Sequence, residues 1–382
     1  MSFDEMAKHA DENMRVAVAR GEHDWITLVE SCVEDLTGET DPERLHTFAA
    51  ELAGRHFTAH LKAQAGWPRR TDSDRVTDAF RALDAAGITA RQDFSCCQNC
   101  GVAEIRDLPG RGFVFYHQQD AERAAGGGSL WLAFGPDAET GREIVAALRA
   151  EGLHVDWDES AGRRIHVRLR WARHRHGRMA AHPSAPGGRE IGAEVLRGTH
   201  RIPRWLGAAA LGEVELPWLP AGVEVRLTEG GRSVVVRREF DRLVADDGRA
   251  TGRFDGLRLL EDGGVETEPV AEAGLIEVTY QTMPSGPAQH AGRPMTIAEV
   301  TEVLRRLPTR TGSWLSAVGR SGGCVQMACE ETGLWLETPD VEAAASIGKQ
   351  ATLDEAERML GVLADEDRVA IRELPEVISR PW

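Results

Sequence analysis

Three of the six cysteines in this 382-residue chain fall within five positions, in the stretch DFSCCQNCGVAEI (Asp93–Ile105). Cys97 and Cys100 form a C-x-x-C pair, the spacing that lets two thiolates reach one tetrahedral ion, and Cys96 sets a third sulfur beside them. A closed zinc site takes four ligands, and there is no second C-x-x-C, so the rest of the shell must come from elsewhere in the chain. His117 and Asp120, in YHQQD, are the nearest donors of suitable type. The candidate zinc ligands are therefore Cys96, Cys97, Cys100, His117 and Asp120. Two other readings of the cluster stay open. Cys97 at a strand-to-helix junction would have its thiol acidified by the helix terminus and become a nucleophile or redox centre, although Gly101 weakens such a helix start. Alternatively, the thiols pack as small buried hydrophobes and hold no ion.

The elements around the cluster decide whether the sulfurs can meet. If ITARQDFSC ran straight as a strand, Cys96 and Cys97 would point to opposite faces, so both can ligate one ion only if the chain turns there. Upstream, TDSDRVTDAFRALDAAGI predicts a helix opened by Thr71 or Asp72 and stopped by Gly87, with ITARQDF as a strand after it. Downstream, GFVFYHQQD and SLWLAFG read as strands, GREIVAALRAEGL as a helix, and HVDWD and RIHVRLRW as strands. From Phe3 to about Ala65 the apolar residues recur at helical spacing, as in Ile26, Leu28, Val29, Cys32 and Val33.

HPSAPGG (His182–Gly188) concentrates Pro, Gly and Ser where this periodicity stops, and reads as a linker. Beyond it lie short Val/Leu runs between Gly turns. Then come the strand LIEVTYQ, the capping boxes Thr296/Glu299 and Thr352/Glu355 opening two amphipathic helices, and the meander SWLSAV, CVQMAC, LWLETP. The expected architecture is multidomain α+β. A helical region plus α+β cysteine-cluster domain spans 1–181, a linker 182–189, a β-rich unit 190–272, and a small α+β unit 273–382.

Composition narrows the partners. A net charge of -16 opposes whole-molecule binding to nucleic acid or to an anionic membrane, and no stretch approaches the ~20 apolar residues that span a bilayer. The opening MSFDEMAKHADENMRVAVARGEHDW lacks the apolar core of a secretory signal, so a cytoplasmic protein is expected, in which clustered thiols stay reduced. Cys32, Cys324 and Cys329 read as small core residues.

Other motifs carry less chemistry. His56 and His60 share a helix face but lack the carboxylate of an H-E-x-x-H site. GRSGG (Gly319–Gly323) fits G-x-S-x-G, yet a strand-like segment follows it and no histidine lies beyond His290, so it reads as a hairpin turn rather than a hydrolase elbow. GGGS (Gly126–Ser129) has neither P-loop lysine nor G-x-G-x-x-G spacing, and no nucleotide or flavin motif is present. Within the basic run from Arg163 to Arg178, RIHVRLRW alternates as a half-buried strand; its polar face is expected to pair with acidic neighbours, with a local anion or nucleic-acid site as the alternative.

GITARQDFSCCQNCGVAEI, followed by GFVFYHQQDAERAAGGGSLWLAFG and RRIHV, resembles an uncharacterised bacterial family of unknown function with the signature F-x-C-C-Q-x-C-G, then Y-H-Q-Q-D. The resemblance covers about Trp67 to Trp171. It implies that Cys96, Cys97, Cys100, His117, Gln118, Gln119 and Asp120 belong together, and it brings no activity. The C-terminal segment resembles small immunity-type proteins in its strand meander, its TLDEAERML helix and its closing Trp382, with no residue-level motif carried over.

The function expected from these features is a Cys/His zinc site of structural or ligand-organising role. The alternatives are a metal-free protein of partner-binding or immunity type, recognising another protein or a small molecule, and then a thiol redox or nucleophile enzyme.

Overall fold

The computed structural model describes residues 3–36, 41–106, 108, 110–185, 189–261, 272, 274–282, 288–307, 309, 312–331 and 333–382. Contacts gather the chain into two compact units. One comprises Met1–Leu28, Arg55–Arg175 and Pro308–Arg310, and the other Val29–Gly54, His176–Leu307 and Thr311–Trp382. These groupings follow spatial packing, whereas the sequence segments 1–181, 190–272 and 273–382 follow composition. The last three residues of HPSAPGG lie outside the described residues.

The first unit opens with α1 (Phe3–Arg20), whose buried Met6, Ala10, Met14 and Val18 recur every fourth residue and so form one apolar stripe. It takes in the start of α2 (Trp25–Asp35) and the second part of α3 (Pro42–Gln64). The helix α4 (Asp72–Ala85) begins where the sequence places it. Thr71 caps it by accepting from the Asp74 amide, and the Asp74 carboxylate takes the Thr71 N–H at 2.7 Å. Gly87, at φ +86°, turns the chain into β1 (Ile88–Arg91), a conformation that favours glycine.

Next come α5 (Gln98–Ile105), β2 (Gly112–Phe115), α6 (Gln118–Ala125), β3 (Leu130–Gly135), α7 (Ala138–Ala150), β4 (His154–Asp156) and β5 (Ile165–Arg168). The strands form one sheet in the order β1-β2-β3-β5-β4. Only β1 and β2 run parallel, in register Ile88↔Gly112, and a parallel pair needs a crossover. That crossover is α5.

Alternation along β2 and into Tyr116, the residue that follows it, sorts side chains to two cores. Val114 and Tyr116 join Phe80, Leu83, Ile144 and Leu148 of α4 and α7, while Phe113 and Phe115 join Ile105 and Val102 of α5. The strand read through YHQQD stops earlier than its sequence suggests. It ends at Phe115, and Gln118 opens α6 because the Asp120 carboxylate reaches back to the His117 amide at 3.5 Å.

The second unit carries two antiparallel sheets. In the first, β6 (Gly192–Arg197), β7 (Glu224–Glu229), β8 (Arg232–Glu239), β9 (Arg242–Ala245) and β10 (Ala250–Gly252) lie in chain order. A short turn α8 (Ala208–Ala210) runs on into a π-helical turn, and Leu211 and Leu216 cover Val225, Val236 and Leu243.

The second sheet has the order β12-β11-β13-β14-β15-β16-β17. Its strands are β11 (Leu275–Gln281), β12 (Ala288–Thr296), β13 (Trp314–Val318), β14 (Cys324–Glu330), β15 (Gly333–Asp340), β16 (Ala345–Ala351) and β17 (Ile378–Pro381). The helices α9 (Ile297–Arg306) and α10 (Leu353–Glu366) pack on one of its faces through Val300, Leu304, Leu360 and Leu363. Both capping boxes form, from Thr296 to Glu299 and from Thr352 to Glu355. GRSGG is the hairpin turn between β13 and β14, closed by Gly319 N–H donating to the Gly323 carbonyl at 2.8 Å. The chain is therefore mixed α+β, with its helical region at the N-terminus and its strands concentrated towards the C-terminus. Among the described residues, no helix is long and apolar enough to cross a membrane.

Candidate metal centre

The cysteines occupy the crossover between the two parallel strands. β1 ends at Arg91, and the chain then turns through two left-handed residues, Asp93 at φ 49° and Ser95 at φ 63°. Such conformations are uncommon for residues with a side chain, so something must hold them. Arg20 of α1 grips the Asp93 carboxylate with two N–H···O bonds of 2.8 and 2.9 Å. Ser95 Oγ donates to Glu104 Oε1 at 3.1 Å. Between them, Phe94 packs edge-on against Phe115 with ring centroids 5.8 Å apart.

The turn settles the question of the opposed faces. Because the strand stops before the cluster, Cys96 and Cys97 are not bound to strand alternation. The Cys96, Cys97 and Cys100 sulfurs all lie within 4.8 Å of one another. Cys97 is the N-cap of α5, and Cys100 stands on its first turn, three residues on. Cys96 and Cys100 are exposed and Cys97 is half-buried.

Gly101 has a reason to sit in this helix. α5 lies so near β2 that a Cβ at Gly101 would stand 2.7 Å from Cζ and 3.2 Å from Cδ2 of the buried Phe115 ring, and closer still to Cε2. The glycine that reads as a helix weakener is thus the condition for close docking.

The electrostatics separate the two sulfurs of the C-x-x-C pair. The Cys97 sulfur makes no well-aligned cap hydrogen bond, yet the nearby Cys100 backbone N–H, then the Cys100 side chain, hold its thiol below the usual range. Cys100, next to the sulfurs of Cys97 and Cys96, is pushed up to about 11. The pair is thus asymmetric, with Cys97 the more acidic of the two thiols.

His117 and Asp120 stand elsewhere. The YHQQD segment runs beside the cysteine turn, tied to it by Phe94 N–H donating to the Tyr116 carbonyl at 2.9 Å and Gln118 N–H to the Ser95 carbonyl at 3.1 Å. Their side chains, however, turn to each other. His117 Nε2 lies 2.9 Å from Asp120 Oδ2, and the fully buried carboxylate also receives Arg123 Nη1 at 3.1 Å and Arg164 Nη2. Burial holds the His117 imidazole below its usual range. Among the described residues, no histidine or carboxylate joins the sulfur triangle at comparable distance. The sequence motif thus brings three donors together and sets the other two in an adjoining ion-pair network.

The remaining sequence candidates are placed as follows. His60 Nε2 bonds the Arg173 carbonyl at 3.0 Å, and His56 faces Asp11 at 3.2 Å. Within the basic run, Arg168 pairs with Asp156 and Arg164 with Asp120, while Arg173 bonds Gln92 and Tyr116. Cys32 and Cys329 are buried. Sequence reasoning missed the supports of the site, Arg20, Asp93, Ser95 and Glu104. The only hint was an Asp and a Ser just before the cysteines, polar types that tolerate tight turns.

Residues 4–175 match the family model of DUF6891, a domain of unknown function, which covers the whole cysteine crossover and its supporting helices. The resemblance drawn from the cysteine motif therefore holds at the level of an uncharacterised domain family. No curated protein and no solved structure matches the chain significantly.

Proposed function

We propose that Cys96, Cys97 and Cys100 bind one thiophilic metal ion, zinc foremost, at the surface of the first unit. The observation that carries this is the mutual proximity of three sulfurs, all within 4.8 Å. Tetrahedral zinc with Zn–S bonds of ~2.3 Å sets its sulfurs about 3.8 Å apart, so closure onto an ion needs a contraction of about 1 Å or less. Structural zinc sites are closed by four protein ligands, whereas sites that handle a ligand keep one position open. Three exposed or half-exposed cysteines favour the second kind, with the fourth position left to water or an incoming donor.

The test is metal content. The untagged full-length chain, prepared without chelator, should carry or take up one zinc per chain, and Cys97→Ser or Cys100→Ser should lose it. A folded chain that takes up no zinc would overturn the proposal.

A second reading is favoured by the split between the two thiols. A Cys97 more acidic than the neighbouring Cys100 is the arrangement of a dithiol redox pair, in which the first sulfur attacks and the second resolves the mixed disulfide. That reading uses two sulfurs and leaves Cys96 without a role. Rapid alkylation of Cys97 well below pH ~8.5, in a chain that binds no metal, would support it.

A further inference from the structure

We infer that the three sulfurs also form a receptor for trivalent arsenic or antimony, a narrower assignment that rests on the metal-binding reading above. Ions differ in the number of soft donors they need. Zinc completes its shell with four ligands, and thiolate sulfur is the donor that soft, polarisable centres select. A trivalent arsenic centre makes three bonds and keeps a lone pair at the fourth corner, so three convergent thiolates satisfy it completely.

The geometry supplies that number. Three sulfurs lie mutually within 4.8 Å, and among the described residues no other Cys, His, Asp or Glu joins them. The carboxylate nearest along α5, Glu104, accepts from Ser95 Oγ at 3.1 Å. His117 and Asp120 are held in their own buried network. With Cys96 and Cys100 exposed, the fourth corner needs no protein ligand. The assignment also gives Cys96 a role that a dithiol pair does not.

Uptake balances without an oxidant. From arsenous acid, three As–O bonds break and three As–S bonds form, and the three thiol protons leave with the three hydroxyls as water. Arsenic stays trivalent.

The experiment uses the reduced full chain and sodium arsenite, read by intact-mass spectrometry and by mapping which cysteines N-ethylmaleimide still reaches in the folded protein. One arsenic per chain is expected, with Cys96, Cys97 and Cys100 all protected. Cys96→Ser should weaken arsenite binding on the order of 100-fold, since one intramolecular arm is lost. Binding unchanged in Cys96→Ser would overturn the three-sulfur receptor in favour of a dithiol site. Should that variant not fold, the protection map of the wild-type chain decides alone, and protection of only two of the three cysteines contradicts the inference. A chain that takes zinc but refuses arsenite sinks this inference and leaves the metal reading standing. One that takes neither sinks both.

Discussion

The ring of Phe115 lies directly against Gly101, so near that a Cβ there would stand 2.7 Å from the ring Cζ. The contact fixes the height of α5 over β2, and with it the position of the first turn that carries Cys97 and Cys100. Phe115 is fully buried, so its ring is packed on every side. Gly101→Ala should therefore lift or tilt the helix, costing about 1–3 kcal/mol as overpacking does, and should weaken zinc uptake together with stability. Urea unfolding and a zinc titration on the same variant check this. Unchanged values in both would mean that the ring gives way freely.

The Arg20–Asp93 pair holds the left-handed turn before the cluster, and both side chains are largely buried. Removing one partner leaves the other charge uncompensated. Arg20→Met should destabilise the protein by about 3 kcal/mol or more, and Arg20→Met with Asp93→Ala should cost less than the two single changes added together. A double-mutant cycle by urea unfolding measures the coupling. Strict additivity would show that the pair does not anchor the turn.

His117 and Asp120 offer a separation of roles. Asp120→Ala strands Arg164 and His117 next to a buried site and should lower stability by about 3 kcal/mol or more. His117→Gln, which removes an imidazole that lies outside the sulfur triangle, should leave one zinc per chain. Loss of the ion in His117→Gln, with the fold intact by circular dichroism, would make His117 the fourth ligand.

His60 predicts an acid-sensitive fold. Burial, aided by the nearby Arg175 charge, lowers its imidazole from 6.5 to about 4, so the folded chain keeps it neutral where the unfolded chain takes a proton. Above pH ~6.5 the group is neutral in both states and contributes no pH dependence. As pH falls from there towards about 4 the unfolded state gains the proton first, and this part of the stability is progressively lost. Urea midpoints at pH 7, 5.5 and 4.5 should fall more steeply for the wild type than for His60→Gln. Parallel curves would assign the acid sensitivity to other groups.

Local chemistry is what a single sequence displays, and the Thr71 cap, the Gly87 stop, both C-terminal capping boxes and the β13–β15 meander all follow from it. The cysteine site is legible there as a set of sulfurs but not as a shape. Its shape depends on Arg20, some seventy residues away, gripping Asp93, and on Phe115 receiving a helix whose glycine looks unfavourable when read alone. The placement of His117 is hidden for the same reason. Nothing local shows that Asp120 is drawn to Arg164, forty-four residues on, rather than to the cysteines.

The most direct measurement is X-ray absorption at the zinc edge of the zinc-loaded, full-length chain. Three sulfur neighbours at about 2.3 Å and one oxygen or nitrogen are expected, with one sulfur fewer in Cys96→Ser. A first shell with two sulfurs or none in the wild type would contradict the three-cysteine centre.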